Sequence, residues 1–442
     1  MFPGVGAKHL TVGETTRSLR HAAALLVALA TAACGRPAAG PVALTWYVNP
    51  DNGGQRRLAE RCTAAAGGAF RLETQVLPAS ADAQREQLVR RLASRDRSID
   101  LMSLDAPFVA ELANAGFLLP IEGDADRAYF TDGVLAAPRH NAEWAGRLVA
   151  PPLWANTQLL WYRKSVAAAA GIDPTRADVT WSELIAAADA QGRLVAVQGA
   201  RYEGYVVWIN ALVASAGGRL LDDPTAGAAA RPAIASPAGE RAARIVGDLA
   251  RSSAAPPDLA TATEEEARAT FQSARGAFMV NWPYVWTAMH DAVRTGALDA
   301  SVLADVGWAR YPRADAALPS RPPLGGIHLA IGAFTEHPAE ALRAARCLTS
   351  LEGQIAYMLD AGNPAARAAA YDDPTVRARF PMAALIRESL ADAAPRPRTP
   401  YWVDVSAALQ RTWHPPAAVR APETPAAAAR LMRDVLAGRV LL

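Results

Sequence analysis

The chain has 442 residues, a formal net charge of +2, and a composition 51% hydrophobic and 20% charged. That balance belongs to a globular protein long enough for two or three domains, and it excludes a polar disordered chain. All but two of the 45 basic residues are arginine, the exceptions being Lys8 and Lys164, and no long basic run occurs, so nucleic-acid binding is excluded as well.

In chain order, Lys8, Arg17 and Arg20 lead into a short apolar run that ends at Ala33, the pattern of a secretion signal over residues 1–33. The run falls short of the ~20 apolar residues a membrane-spanning helix needs, and no later segment reaches that length. The small residues Ala32 and Ala33 before Cys34 and Gly35 resemble a bacterial lipobox, with Thr31 departing from its usual Leu or Val. On that reading Cys34 carries lipid, residues 34–41 form a flexible leader, and the protein sits at the outer face of the cytoplasmic membrane. The alternative is an ordinary signal peptide that leaves Cys34 as a loose thiol.

The stretches VALTWYV, QRRLAERCTAAAG, FRLETQVL, ADAQREQLVRRLASR and IDLMSLD read as strand, helix, strand, helix, strand. This βαβαβ order predicts a parallel sheet flanked by helices, with ligands expected beyond the carboxyl ends of its strands. Asp51 and Asn52 in NPDNGG, and Asp105 in MSLDAP, fall there. FVAELANAGFLLPI reads as a helix stopped near Gly116, and two extended segments follow, broken at Pro151-Pro152, where the chain is expected to cross to a second unit. Thr180 and Glu183 in TWSEL form a capping box that starts a helix. RLVAVQG reads as a strand, GYVVWINALVASAGG as a helix closed by Gly217 and Gly218, and two amphipathic helices follow. GAFMVNWPYVW reads as a buried strand that delivers Asn281 and Trp282 before a further helix. From DVGWARYP through GGIHLAIG and the helix bearing Cys347, the chain is expected to return to the first unit, with a disordered tract at residues 313–323; the remainder reads as helical around the Pro-rich PRPRTPYW.

The motifs of common enzyme classes are absent: no CxxC, no P-loop, no GxSxG, no zinc-binding histidine pair around a glutamate, and no GxGxxG between strand and helix. Three cysteines with one acylated cannot build a cysteine zinc site, and no metal or cofactor is expected. The other two, Cys62 and Cys347, lie in an oxidising compartment and form either a bridge or two free thiols. Asp51, Asp105 and Glu203 could approach one cleft as a glycoside hydrolase's carboxylates would. Most of the eleven tryptophans serve packing, but Trp282 stands where a strand ends at Pro283, placed for its ring to stack on the C–H face of a sugar.

The ordered set NTQLLWYRKSVAAAAGIDP, TWSEL, ARATFQSARGAFMVNWPYV and LGGIHLAIG resembles the extracellular solute-binding proteins of sugar ABC importers, and VALTWYV, EGYVVWIN and DAAPRPRTP are similar to its trehalose-binding lipoproteins. The resemblance implies a two-lobed periplasmic-binding-protein fold, α/β, each lobe a mostly parallel sheet flanked by helices and joined by a hinge. It implies lobe 1 from 42–154 and 306–362, and lobe 2 from 155–305 and 363–442. It also implies no catalysis: a monomer captures trehalose or a related disaccharide and passes it to permease subunits driven by a cytoplasmic ATPase, in preference to a lipid-anchored hydrolase or a receptor for another polyol. Asp105, Asn156, Trp282 and Arg396 fall in its sugar-contacting motifs, as do Gly325, Gly326, Gln84, Arg85, Glu203, Asp51 and Asn52.

Overall fold

Strand β1 (Val42–Val48) buries Leu44, Trp46, Tyr47 and Val48 and opens a βαβαβ run. Helix α1 (Gly54–Ala65) packs with Leu58, Ala59 and Cys62 inward, and β2 (Phe70–Val76) follows. In α2 (Ala81–Ala93) Ser80 accepts the Ala83 N–H, Asp82 lies in the first turn and Arg90 and Arg91 in the last, so both ends match the helix dipole. Strand β3 (Leu101–Asp105) leads into α3 (Phe108–Asn114), after which Gly116 turns the chain. This computed structural model describes residues 40–442; the signal segment and the Cys34 anchor lie outside the described residues.

Strands β4 (Pro152–Thr157) and β5 (Leu159–Arg163) are separated by Gln158 alone, which corrects the expected break at Pro151-Pro152. Pro152 opens β4, the strand position where a missing N–H costs least. Helix α4 (Trp181–Asp189) starts at the Thr180–Glu183 capping box, then come β6 (Leu194–Ala196), α5 (Glu203–Ser215), α6 (Pro237–Arg251) and α7 (Glu264–Gln272). Strand β7 (Gly276–Asn281), α8 (Tyr284–Arg294), β8 (Val306–Ala309) and β9 (Leu324–Ile331) precede α9 (Pro338–Leu348), α10 (Leu351–Ala361), α11 (Trp402–Trp413) and α12 (Glu423–Leu436).

The strands form a five-stranded sheet in the order β2-β1-β3-β9-β4 and a four-stranded sheet in the order β8-β5-β7-β6. β1 runs parallel to β3, and β9 runs against both β3 and β4. In the second sheet β7 runs parallel to β6, while β5 runs against β7 and β8. The reversed strands, β9 and β5, are those entered directly from the other sheet. A chain that leaves one sheet at the carboxyl end of a strand enters the next from the same side, so it must run backwards there. The return expected at residue 306 is corrected accordingly: β8 pairs with β5 in the second sheet, and the chain rejoins the first only at β9. Residues 155–157 likewise belong to the first sheet, where β4 pairs with β9. The chain goes from one lobe to the other again between α10, which packs on α1, and α11, which packs on α5.

Cys62 of α1 and Cys347 of α9 are joined by a disulfide that staples two helices of the first lobe. The second lobe centres on α5, buried from Glu203 to Val213, with Trp208 against Trp181 at 5.5 Å between ring centroids. Trp46, Trp161, Trp181, Trp208, Trp402 and Trp413 are fully buried. Residues 313–323, expected to be disordered, are tied down: the Ser320 hydroxyl donates to Tyr311 O, the Arg321 N–H donates to Ser215 Oγ, and Pro322 O accepts the Ala394 N–H. No described helix is long and apolar enough to cross a membrane.

Candidate functional site

Between the sheets lies a cleft of about 730 Å³, walled by the carboxyl ends of β1, β3, β4 and β7 and the start of β9. It takes in Asp51, Asn52, Gln84, Asp105, Asn156, Glu203, Trp282, Gly325, Gly326 and Arg396. Arg85 is not among its walls. One step along a helix turns a side chain by about 100°, so while Gln84 faces the cleft, Arg85 turns to α3 and donates from Nε to Glu111 at 2.9 Å.

The centre of the site is an ion triad. Arg396 Nη2 donates to Asp105 Oδ1 at 2.7 Å and Nη1 to Oδ2 at 3.1 Å, while Nη1 also donates to Glu203 Oε1 at 2.7 Å. Asp105 ends a strand of the first sheet and Glu203 begins α5 in the second lobe, so Arg396 ties the lobes together across the cleft. Glu203 is held from behind: the Trp402 indole N–H donates to Oε1 at 2.9 Å and the Ser406 hydroxyl to Oε2 at 2.5 Å. Burial pushes the Glu203 carboxyl up to about 7, against the arginine and hydroxyl that favour its charged form. Burial works against the Arg396 charge, but Asp105 and Glu203 more than offset it and raise its pKa.

Trp282 enters directly after β7, where Asn281 Oδ1 accepts its backbone N–H at 2.8 Å. Its ring edge lies against Gly325: a Cβ there would come within 2.8 Å of Trp282 Cη2. At Gly326, φ is +112° and a Cβ would meet Trp154 O at 2.4 Å. One glycine therefore admits the indole and the other admits the backbone of β4, and both expose main chain to the cleft. Asn156 is 8% exposed; its Oδ1 accepts the Thr157 N–H, and its amide nitrogen has no acceptor among the described residues.

Asp51 has a structural task as well. Its carboxylate accepts the Gly53 and Gln55 N–H groups, each at 2.8 Å, and so caps α1, and it accepts the Tyr357 hydroxyl at 3.1 Å. Asn52 reaches the Asp360 carbonyl at 3.3 Å, and Gln84 the Pro78 carbonyl at 2.9 Å.

Sequence reasoning missed Trp154, Asn49, Asp82, Tyr202 and Glu264, which also line the cleft. The two-residue period of a strand was a usable signal for Trp154, since it shares a face with Asn156. Its ring packs on that of Tyr357 at 4.8 Å between centroids, tilted by 35°. Glu264 accepts the Tyr202 hydroxyl at 2.7 Å and faces the Trp282 indole nitrogen at 3.5 Å; burial raises its pKa. That contact is tertiary and leaves no local trace. Among the described residues no group of His, Cys, Asp and Glu is arranged to hold a metal ion.

The cleft can bind: it offers rings, amides, exposed backbone and carboxylates on both lobes. Its best-placed carboxylates, Asp105 and Glu203, share one guanidinium. A curated protein from Deinococcus radiodurans, described as a probable ABC transporter-binding protein, is 26% identical over 335 residues, 73% of this chain and 75% of its own. The maltose-bound MalE3 of T. maritima superposes with a TM-score of 0.78 at 27% identity, covering 89% of this chain and all of that one. The GacH receptor of Streptomyces glaucescens, solved unliganded and with acarbose, shares the fold at a TM-score of 0.73 and 21% identity, covering 89% of this chain and 97% of its own. Residues 72–355 match the family model for bacterial extracellular solute-binding protein, and the chain belongs to that family.

Proposed function

We propose that this protein is the receptor of a sugar ABC importer, that its cleft binds trehalose or a related disaccharide, and that lipid on Cys34 holds it at the outer face of the cytoplasmic membrane as a monomer. The observation that carries the reading is the cleft itself. At about 730 Å³ it lies within the ~300–1,000 Å³ of small-molecule sites, and it pairs two indoles with an amide, exposed backbone and an ion triad. Flat rings suit the C–H faces of a sugar, and fixed polar groups suit its hydroxyls.

On this reading Trp282 stacks on the ligand, Asn156 donates to it, Asp105 and Arg396 bind its hydroxyls, and the backbone at Gly325 and Gly326 contacts it. Gln84, Asp51 and Asn52 offer further polar groups to it, and Glu203 holds Arg396. A ligand that touches both lobes only when they are closed shifts the population toward the closed form, which the permease subunits and their cytoplasmic ATPase then recognise. The hydrolase reading gains no support, since Asp105 and Glu203 are both engaged by Arg396.

Calorimetric titration with trehalose, maltose and a panel of other disaccharides tests the proposal. Heat and a thermal upshift with at least one of them are expected; neither with any overturns it.

A further inference from the structure

Helices α1, α2, α5 and α7 begin at the wall of the cleft, and each sets a carboxylate of its own there: Asp51, Asp82, Glu203 and Glu264. A helix amino terminus is where a ligand anion would otherwise be held. Asp51 takes up the free amides of α1, and the guanidinium of Arg396 is shared between Asp105 and Glu203. No other Lys or Arg among the described residues lines the cleft.

Asp82 differs from its neighbours. Asp51, Asp105, Glu203 and Glu264 each accept hydrogen bonds that tie them into the protein, whereas among the described residues the Asp82 carboxylate is favoured only by the Gln410 side chain and by the charges of Arg85 and Arg396, with neither of which it forms an ion pair. Arg85, three residues on, is drawn away by Glu111. A second, independent feature marks the same space as a ligand site: Asn156, more than nine-tenths buried, has an amide nitrogen without an acceptor. Burial and the nearby Asp105 raise the Asp82 pKa, outweighing Arg85, Arg396 and the Gln410 side chain, which favour its charged form.

We propose that Asp82 is a ligand-binding residue that sets the charge class of the ligand: hydroxyl-rich molecules that are neutral or carry an amine are taken, and those carrying a carboxylate are refused. The proposal deepens the sugar-binding reading and rests on it. A fixed negative charge without an ion pair of its own, in a partly desolvated cleft, attracts an ammonium and repels a carboxylate, while a neutral hydroxyl still finds an acceptor.

The test is calorimetry on the full mature chain with trehalose and maltose, and with the analogues of each in which the 6-hydroxymethyl group is replaced by a carboxylate or an aminomethyl group. The carboxylate analogue is expected to bind at least about tenfold more weakly than its parent and the amine at least as tightly, a gap of roughly 1.4 kcal/mol. In Asp82→Asn the gap should shrink to about twofold with the neutral parent still bound, and Asp82→Glu should restore it. Carboxylate analogues bound as tightly as the parents, or a gap unchanged in Asp82→Asn, would overturn the charge rule and leave the sugar reading standing. If neither the parents nor the analogues bind, both fall.

Discussion

Arg396 forks onto Asp105, Nη2 to Oδ1 at 2.7 Å and Nη1 to Oδ2 at 3.1 Å, and so a residue of the C-terminal segment closes the end of the third strand. With Glu203 on its other side the arginine is 6% exposed. Removing one partner of a buried ion cluster leaves charges without compensation, which costs about 3–5 kcal/mol. Arg396→Ala should lose stability on that order in denaturant unfolding. Arg396→Met combined with Asp105→Asn and Glu203→Gln should recover most of it without restoring ligand affinity. Recovery of both would make the triad a packing element only.

The contact between Trp282 and Gly325 makes a second prediction. A methyl group at residue 325 would lie 2.8 Å from Cη2 and 2.9 Å from Cζ3 of the indole, so Gly325→Ala must displace the ring. If the ring stacks on the ligand, Trp282→Ala should cost on the order of 2 kcal/mol of binding, roughly 30-fold in Kd. Gly325→Ala should lose a large part of the same affinity, and the double variant should lose little more than Trp282→Ala alone. Fully additive losses in calorimetry would separate the two positions.

Local signals were legible in the sequence, and pairings across the chain were not. The capping box at Thr180 and Glu183, the helix from Glu203 and the strand that delivers Trp282 follow from neighbours a few residues apart. The crossing at Gln158 and the placement of β8 depend on which strand each segment bonds, and apolar runs on either side of the crossing look alike. The site divides the same way. Most cleft residues stand at strand ends, where an α/β topology points. Arg85 misleads because its neighbour Gln84 does face the cleft, and its partner Glu111 lies on another helix. Asp82 and Glu264 look like ordinary helix-start acids until the fold brings their helices to one wall.

The bridge between Cys62 and Cys347 closes a loop of 285 residues between α1 and α9. Constraining so long a loop in the unfolded chain contributes about 2–5 kcal/mol. Cys62→Ser with Cys347→Ser should lower the unfolding midpoint, and a thiol reductant should lower that of the natural chain toward the same value while leaving the variant unmoved. A natural chain indifferent to the reductant under denaturing conditions would mean that the bridge contributes nothing.

His328 on β9 gives the protein a weakness in acid. It is 1% exposed, its Nε2 lies 3.1 Å from the Pro138 carbonyl, and its Nδ1 has no partner among the described residues. Burial pushes its pKa down to about 4 from an ordinary value of 6.5, because the imidazolium would have to be desolvated. A base with a depressed folded-state pKa contributes its full stability above the unfolded value and loses it as the pH falls. The loss therefore runs from about 6.5 down to about 4, and amounts to at most about 3 kcal/mol. The raised carboxyl of Glu203 acts with the opposite sign over an overlapping range, so the comparison must be between variants at each pH. His328→Gln keeps a donor for Pro138 and does not titrate. Urea unfolding of both proteins at pH 7.5, 6, 5 and 4 should show the natural chain losing stability faster than the variant below 6.5. Parallel curves would mean that protonation of His328 is not what acid exploits.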